Sequence, residues 1–214
     1  MQRKNKGDLI SVGCLLLAII VAIYISTSIV NKQIIWFDEK LALLANLPDS
    51  INPFFLFITE LGDKLGIGIV AVIVLIWLLI KRNFLGAAIL ALSVAIGNEL
   101  NKFLKVMFAR ERPDLDHLAH VDSLSFPSGH AMVGLVFYYM IAYFMIERMT
   151  STAGKRVVII LTALMLILIG ASRIILQVHY PSDVIGGFAF GYIWVFIWIL
   201  LYKYIKKFKL KRRG

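Results

Sequence analysis

Three short polar clusters interrupt an otherwise apolar sequence, and their residue types point to the handling of a polyanion. The first covers residues 105–113. Lys105 and Arg112 lie seven positions apart, close to two full helical turns, so a helix through both would set the two cations on one face, with Arg110 off it. Asn98 and Asn101 continue that face deeper into the preceding apolar segment, and Pro113 is expected to stop the helix just after Arg112. The second cluster is Ser125, Phe126, Pro127, Ser128, Gly129 and His130, opening another apolar segment. A serine and a glycine at a helix start leave backbone amides unpaired and directed outward, where the helix dipole favours negative charge. His130 falls in the first turn, next to anything bound there. The third cluster is Ser172 and Arg173, then His179, Tyr180, Pro181, Ser182 and Asp183. A carboxylate four positions from a histidine can fix the imidazole tautomer and leave the other ring nitrogen basic, the state a nucleophilic histidine needs. Pro181 and Asp183 also have the form of a helix start, so capping competes with that role.

Taken singly, each cluster has an ordinary explanation. Lys and Arg near a membrane surface anchor a span by snorkelling, and Ser, Gly or Asp before an apolar run caps a helix. Gathered at one depth beside a bilayer, three cations, two histidines and a carboxylate are costly unless they bind something. Three cations suit a phosphoryl group, because Arg grips two oxygens and Lys adds a point charge.

The elements that must position these clusters are membrane helices. Of 214 residues, 60% are hydrophobic and 17% charged, too apolar a mix to cover a soluble core. Apolar segments fall at about 9–29, 65–80, 84–100, 129–146, 157–174 and 184–202. A helix needs about 20 residues to cross the hydrocarbon, so the shorter segments must borrow flanking residues. Long continuous apolar runs favour helices over strands. The predicted fold is all-α, a six-span transmembrane helical bundle forming a single domain over residues 1–214. In the outer loop between the first two spans, residues 30–64, the apolar clusters 41–47 and 54–58 around Pro48 and Pro53 predict short amphipathic helices lying on the membrane.

Basic residues concentrate in cytoplasmic loops, and here Arg3, Lys4, Lys6, Lys81, Arg82, Arg148, Lys155, Arg156 and the tail from Lys203 to Arg213 share one side. Both termini are therefore expected in the cytoplasm and all three polar clusters on the outer face. The same split explains the net charge of +10 without nucleic acid. A basic tail beside a bilayer suits anionic lipid, whereas nucleic-acid binding wants exposed aromatics interleaved with the charge. Cys14 is the single cysteine, so no intramolecular disulfide forms. It sits near the start of its apolar run and not after it, unlike a lipoprotein cleavage site, and belongs to a plain first span.

Lys105 with six residues before Arg112 and Pro113, then Pro127, Ser128, Gly129, His130, then Ser172, Arg173 with five residues before His179 and three more before Asp183, together resemble the complete three-part signature of the type 2 phosphatidic acid phosphatase family. No motif position departs from it. The resemblance implies that Lys105, Arg112 and Arg173 hold the phosphoryl oxygens, with Ser128 and the Gly129 amide adding hydrogen bonds. It implies that His179, oriented by Asp183, attacks phosphorus to give a phosphohistidine, while His130 protonates the departing lipid oxygen and later activates water. Neither metal nor other cofactor is implied, since three fixed cations supply the charge that Mg²⁺ supplies elsewhere. Asp114, Asp116, His117 and His120 match no strong zinc spacing and are expected to form a polar loop touching the head group.

The substrates this resemblance implies are phosphatidic acid, phosphatidylglycerol phosphate or a prenyl diphosphate such as undecaprenyl diphosphate. The expected partners are that lipid phosphate and the surrounding membrane lipids, with no obligate protein partner. Gly187 and Gly191 form a small-residue pair suited to close packing against a neighbouring span, more often within one chain than between two. A phosphotransferase with the same nucleophile differs only in the acceptor. A transporter of a phosphorylated solute is disfavoured, because it should carry its charges and broken helices near the bilayer midplane.

Overall fold

A computed structural model describes residues 6–33, 35–41 and 48–211. Within them the regular structure is entirely helical: α1 (Lys6–Val30), α2 (Trp36–Leu41), a 3₁₀ turn (Asp49–Ile51), α3 (Asn52–Glu60), α4 (Lys64–Ile80), α5 (Phe84–Phe108), α6 (Gly129–Arg148), α7 (Thr152–Ile175) and α8 (Pro181–Lys211). The short helices expected between the first two spans are α2 and α3; residues 42–47 of the first apolar cluster lie outside the described residues.

Helices α1, α5, α6, α7 and α8 are each long and apolar enough to cross a bilayer. Helix α4 has 17 residues, a length of about 26 Å, short of a hydrocarbon core of about 30 Å. A sixth crossing needs the residues before it: Asp49–Glu60 and Lys64–Ile80 qualify together, bent by 47°. The bend has a local cause. A Cβ at Gly66 would overlap the Glu60 carbonyl, so only glycine lets the start of α4 fold back this closely on the end of α3. The Tyr138 hydroxyl of α6 donates to the Leu61 carbonyl at 2.7 Å and pins the bend to the bundle.

Burial runs opposite to that of a soluble protein. Helix α1 turns Ala18, Ala22, Ile25 and Ser28 inward and leaves Leu17, Ile20 and Ile23 on its outer face. Lipid tails are as apolar as leucine, so helices associate here through close van der Waals packing of small residues. Ala18 and Ala22 meet Ala189 of α8 in this way. Helix α6 is the central element, burying Met132, Val136, Phe137, Met140 and Phe144 completely between α5, α7 and α8. The Gly187 and Gly191 pair lies against α6 of the same chain, where a Cβ would sit 2.8 Å from the Ser128 carbonyl and 2.7 Å from that of Met132.

Alternating helix direction sorts the polar groups to two ends. The C-termini of α5 and α7 and the N-termini of α6 and α8 meet at one end and bring the three polar clusters with them. Lys81, Arg82, Lys155, Arg156 and Lys203 belong to the other. That end is tied by Lys206 to Glu147 at 2.6 Å and by the Tyr202 hydroxyl to the same carboxylate at 2.9 Å.

Candidate active site

Helix α5 ends earlier than the sequence suggests. Ala109 takes the left-handed conformation, φ 47 and ψ 34, and its amide closes the last turn on the Lys105 carbonyl. The helix expected to continue to Arg112 therefore stops at Phe108, before Pro113 can act, and helical phase is not what brings Arg112 toward Lys105. The loop that follows does so. Its Ser125 amide bonds the Arg110 carbonyl at 2.9 Å. Phe126 is wholly buried, with ring centroids 4.9 Å from Phe108 and 6.1 Å from Phe190. Gly186 makes room for that ring, since a Cβ there would overlap it.

A cavity of about 640 Å³ opens where these elements meet, and Lys105, Arg112, Gly129, His130, Arg173 and His179 all line it. Ser128 and Asp183 are fully buried at the neighbouring helix starts. The three cations are held by neutral groups. Lys105 Nζ donates to the Leu124 carbonyl, Arg112 Nε to the Ser123 carbonyl at 2.7 Å, Arg112 Nη1 to the Val178 carbonyl at 2.5 Å, and Arg173 Nη1 to the Thr59 hydroxyl at 2.6 Å. Among the described residues none of the three is in an ion pair with a carboxylate. Ser128 Oγ and Arg173 Nε are moreover buried with no hydrogen-bond partner. Buried polar atoms are nearly always satisfied, so three cations held by neutral groups beside two open polar atoms describe a site suited to an anion. The first amides of α6, those of Gly129 and His130, have no carbonyl one turn earlier and add to it. Asn101 Nδ2 holds this helix start by donating to the Pro127 carbonyl at 3.1 Å, and Asn98 lines the cavity.

His179 Nδ1 lies 3.3 Å from Asp183 Oδ2 and 3.2 Å from Ser125 Oγ. Ser125 itself donates to Asp183 Oδ2 at 2.5 Å, and the Tyr180 amide donates to the same oxygen at 2.9 Å. With acceptors gathered on the Nδ1 side, the ring proton resides there and Nε2 keeps its lone pair. Nε2 is 3.4 Å from Arg112 Nη1. Burial pushes the His179 pKa down to about 3, opposed by Asp183 and reinforced by Arg112 and Arg173. The imidazole is therefore neutral, and able to act as a nucleophile, throughout the physiological range.

His130 is set by the bend between α3 and α4. A Cβ on Gly62 would lie 2.8 Å from His130 Cδ2 and 2.7 Å from Ile169 Cγ2, so the imidazole rests directly against the glycine. Gly62→Ala should push His130 aside and lower kcat roughly 10- to 100-fold, the scale on which an ångström of misplacement acts. Unchanged kcat in steady-state phosphate release would show that His130 does not depend on this contact.

Four polar residues at this end carry no sequence motif role yet are built into the site: Asp38, Thr59, Arg110 and Ser125. Ser125 stood inside a polar cluster and Arg110 inside another, but the pairing of Arg110 with Asp38, 72 positions away, has no periodic signal. Arg110 is doubly ion-paired, to Asp38 at 2.8 Å and Asp183 at 2.7 Å. Burial works against its charge, but the two carboxylates prevail and raise its pKa. A larger cavity of about 920 Å³ lies on the Arg110 side of His179. Its arginine is already neutralised, so the smaller cavity is the one suited to an anion. His120 borders that smaller cavity, while His117 Nε2 sits 3.0 Å from the Pro113 carbonyl. Among the described residues no group of three His, Cys, Asp or Glu side chains is arranged to hold a metal ion.

The PAP2 superfamily profile matches residues 86–207, which include all three polar clusters. The chain belongs to the PAP2 superfamily. It is 33% identical over 204 residues to phosphatidylglycerophosphatase B of Bacillus subtilis (strain 168), an alignment covering 94% of this chain and 98% of that protein. Its fold is similar to the crystal structure of a transmembrane PAP2 type phosphatidylglycerolphosphate phosphatase from Bacillus subtilis, with a TM-score of 0.79 and 31% identity, covering 92% of this chain and 98% of that one. As a PAP2 member with membrane-spanning helices, the chain is a multi-pass membrane lipid phosphatase.

Proposed function

We propose that the chain hydrolyses the phosphomonoester or diphosphate of a membrane lipid through a phosphohistidine formed on His179, at the extracytoplasmic face. The observation that carries this reading is the meeting of three cations without ion pairs and a neutral imidazole in one cavity. In the reaction His179 Nε2 attacks phosphorus as the bond to the lipid oxygen breaks, and His130 delivers a proton to that oxygen. Lys105, Arg112, Arg173, Ser128 and the Gly129 amide offset the charge on the transferring group. Water then attacks the phosphohistidine, the phosphorus–nitrogen bond breaks, and His130 takes the water proton. The cations supply the electrostatic role, so the step needs no metal.

Three lipid phosphates fit: phosphatidylglycerol phosphate, phosphatidic acid and undecaprenyl diphosphate. The name of the Bacillus relative favours the first. The cavity supports a lipid in general, since it continues past Asn98 to Val94 and Ala95 of α5 and Ile67 and Ala71 of α4, an apolar slot leading down between two spans. The test presents each lipid phosphate to detergent-solubilised protein in excess chelator and ranks phosphate release by kcat/KM. Full turnover with chelator, greatest for phosphatidylglycerol phosphate, is expected; activity lost and then restored by added metal contradicts the metal-free step. Absence of release from every lipid would instead favour a transporter, and phosphate recovered on an added acceptor would make the enzyme a phosphotransferase.

The outward orientation is supported by the lysines and arginines at the end opposite the site. In Cys14→Ser protein, a cysteine introduced by Asp49→Cys should react with a membrane-impermeant maleimide in intact cells. Protection there, with labelling only after lysis, would turn the site toward the cytoplasm.

A further inference from the structure

We infer that Arg110 and Asp38 form a positioning relay that fixes the Asp183 carboxylate, and through it the nucleophilic nitrogen of His179. This rests on the proposed reading of His179 as nucleophile. Lys105, Arg112 and Arg173 are held by neutral groups, whereas Arg110 bridges two carboxylates and has no charge left for a substrate. Its place in the chain explains the difference. The left-handed turn at Ala109 precedes it, and Arg110 borders the larger cavity, outside the lining of the cation-lined one.

Each oxygen of Asp183 has its own duty. Oδ1 accepts from Arg110 Nη1 at 2.7 Å, while Oδ2 faces Ser125, the Tyr180 amide and His179. The carboxylate is thus held from both sides against rotation about its Cβ–Cγ bond. Asp38 secures the element that carries it: Oδ1 accepts from the Ser182 amide at 2.8 Å and Oδ2 from the Ser182 hydroxyl at 2.7 Å and Arg110 Nη2 at 2.8 Å. Ser182 Oγ in turn accepts from Arg110 Nη1 at 2.6 Å, closing a ring of bonds around the first turn of α8. Asp38 is only 6% exposed although it comes from the six-residue α2 of the outer loop, so that loop is anchored through the relay. The His179–Asp183 contact, at 3.3 Å, is long for a hydrogen bond, which makes its alignment sensitive to what holds the carboxylate behind it.

The relay has a kinetic signature distinct from phosphate binding. Arg110→Met and Asp38→Asn should each lower kcat roughly 10- to 100-fold, the range for partners that orient a functional histidine, with KM within about twofold of the parent. Arg110→Lys should recover part of the loss, and the double variant should be no slower than Arg110→Met alone, because both act through one carboxylate. A kcat for Arg110→Met within twofold of the parent, losses that simply add in the double variant, or a raised KM at unchanged kcat would each overturn the relay. If Arg110→Met does not fold, Arg110→Lys carries the same comparison with a smaller effect.

Nitrogen-15 spectra of labelled histidine give a readout that does not require turnover. The His179 proton should sit on Nδ1 in the parent and be shared between both nitrogens in the Arg110 variants; an unchanged tautomer there contradicts the relay. A parent protein that releases phosphate from no lipid would remove the proposed function, and these spectra would still decide whether Arg110 and Asp38 set the imidazole.

Discussion

His179→Ala is expected to lower kcat by roughly 10⁴-fold or more while leaving lipid phosphate binding nearly intact. The substitution removes the proposed nucleophile, yet Lys105, Arg112 and Arg173 each keep a hydrogen-bond partner other than the imidazole. A site that binds and polarises the phosphoryl group without a nucleophile should retain the part of the rate that electrostatics supplies, as catalytic sites stripped of their nucleophile do. Inorganic phosphate should accordingly bind His179→Ala within a fewfold of the parent affinity. Purified His179→Ala that still releases phosphate at a near-parental rate would transfer the nucleophile role elsewhere.

Asp183→Asn should cost roughly 10³- to 10⁴-fold in kcat, the scale seen when an orienting carboxylate is replaced by its amide. The loss follows from the surroundings of the side chain. Every neighbour of Asp183 acts as a donor: Arg110 on Oδ1, and Ser125, the Tyr180 amide and His179 Nδ1 on Oδ2. An amide must turn its NH₂ group toward one of these sets. Turned toward Arg110, it opposes a buried cation. Turned toward His179, it demands a lone pair on Nδ1, which moves the ring proton to Nε2 and removes the nucleophile. Ser125 can rotate its hydroxyl to relieve part of the conflict, but the Tyr180 amide cannot. A kcat within about threefold of the parent would mean that Asp183 caps α8 and does not orient the histidine.

The sequence made the ends of the helices legible more than their middles. Alternation of spans is enough to bring residues near 105, 130, 173 and 183 to one end of a bundle, and the cavity that Lys105, Arg112, His130, Arg173 and His179 line follows from that. The same spacing misled about Arg112, where helical phase and Pro113 suggested a helix that Ala109 ends at Phe108. Nothing in the residue type of alanine signals a left-handed turn; the buried Phe126 and the bonds of the following loop hold it there. The bend at residues 61–63 was hidden for a related reason. It depends on Gly66 meeting a particular carbonyl, a contact that sequence spacing does not encode. The pairing of Asp38 with Arg110 was invisible because periodicity reports which residues share a helix face and says nothing of a contact made across 72 positions.

The covalent intermediate is the most direct point of attack. Purified protein mixed with ³²P-labelled lipid phosphate and quenched within one turnover should carry label in an acid-labile, base-stable bond that maps to His179. The label should be absent from His179→Ala and should persist longer in His130→Ala, which lacks the group proposed to activate water. A full turnover of phosphate released with no label on the protein, or label on another residue, would contradict attack by His179.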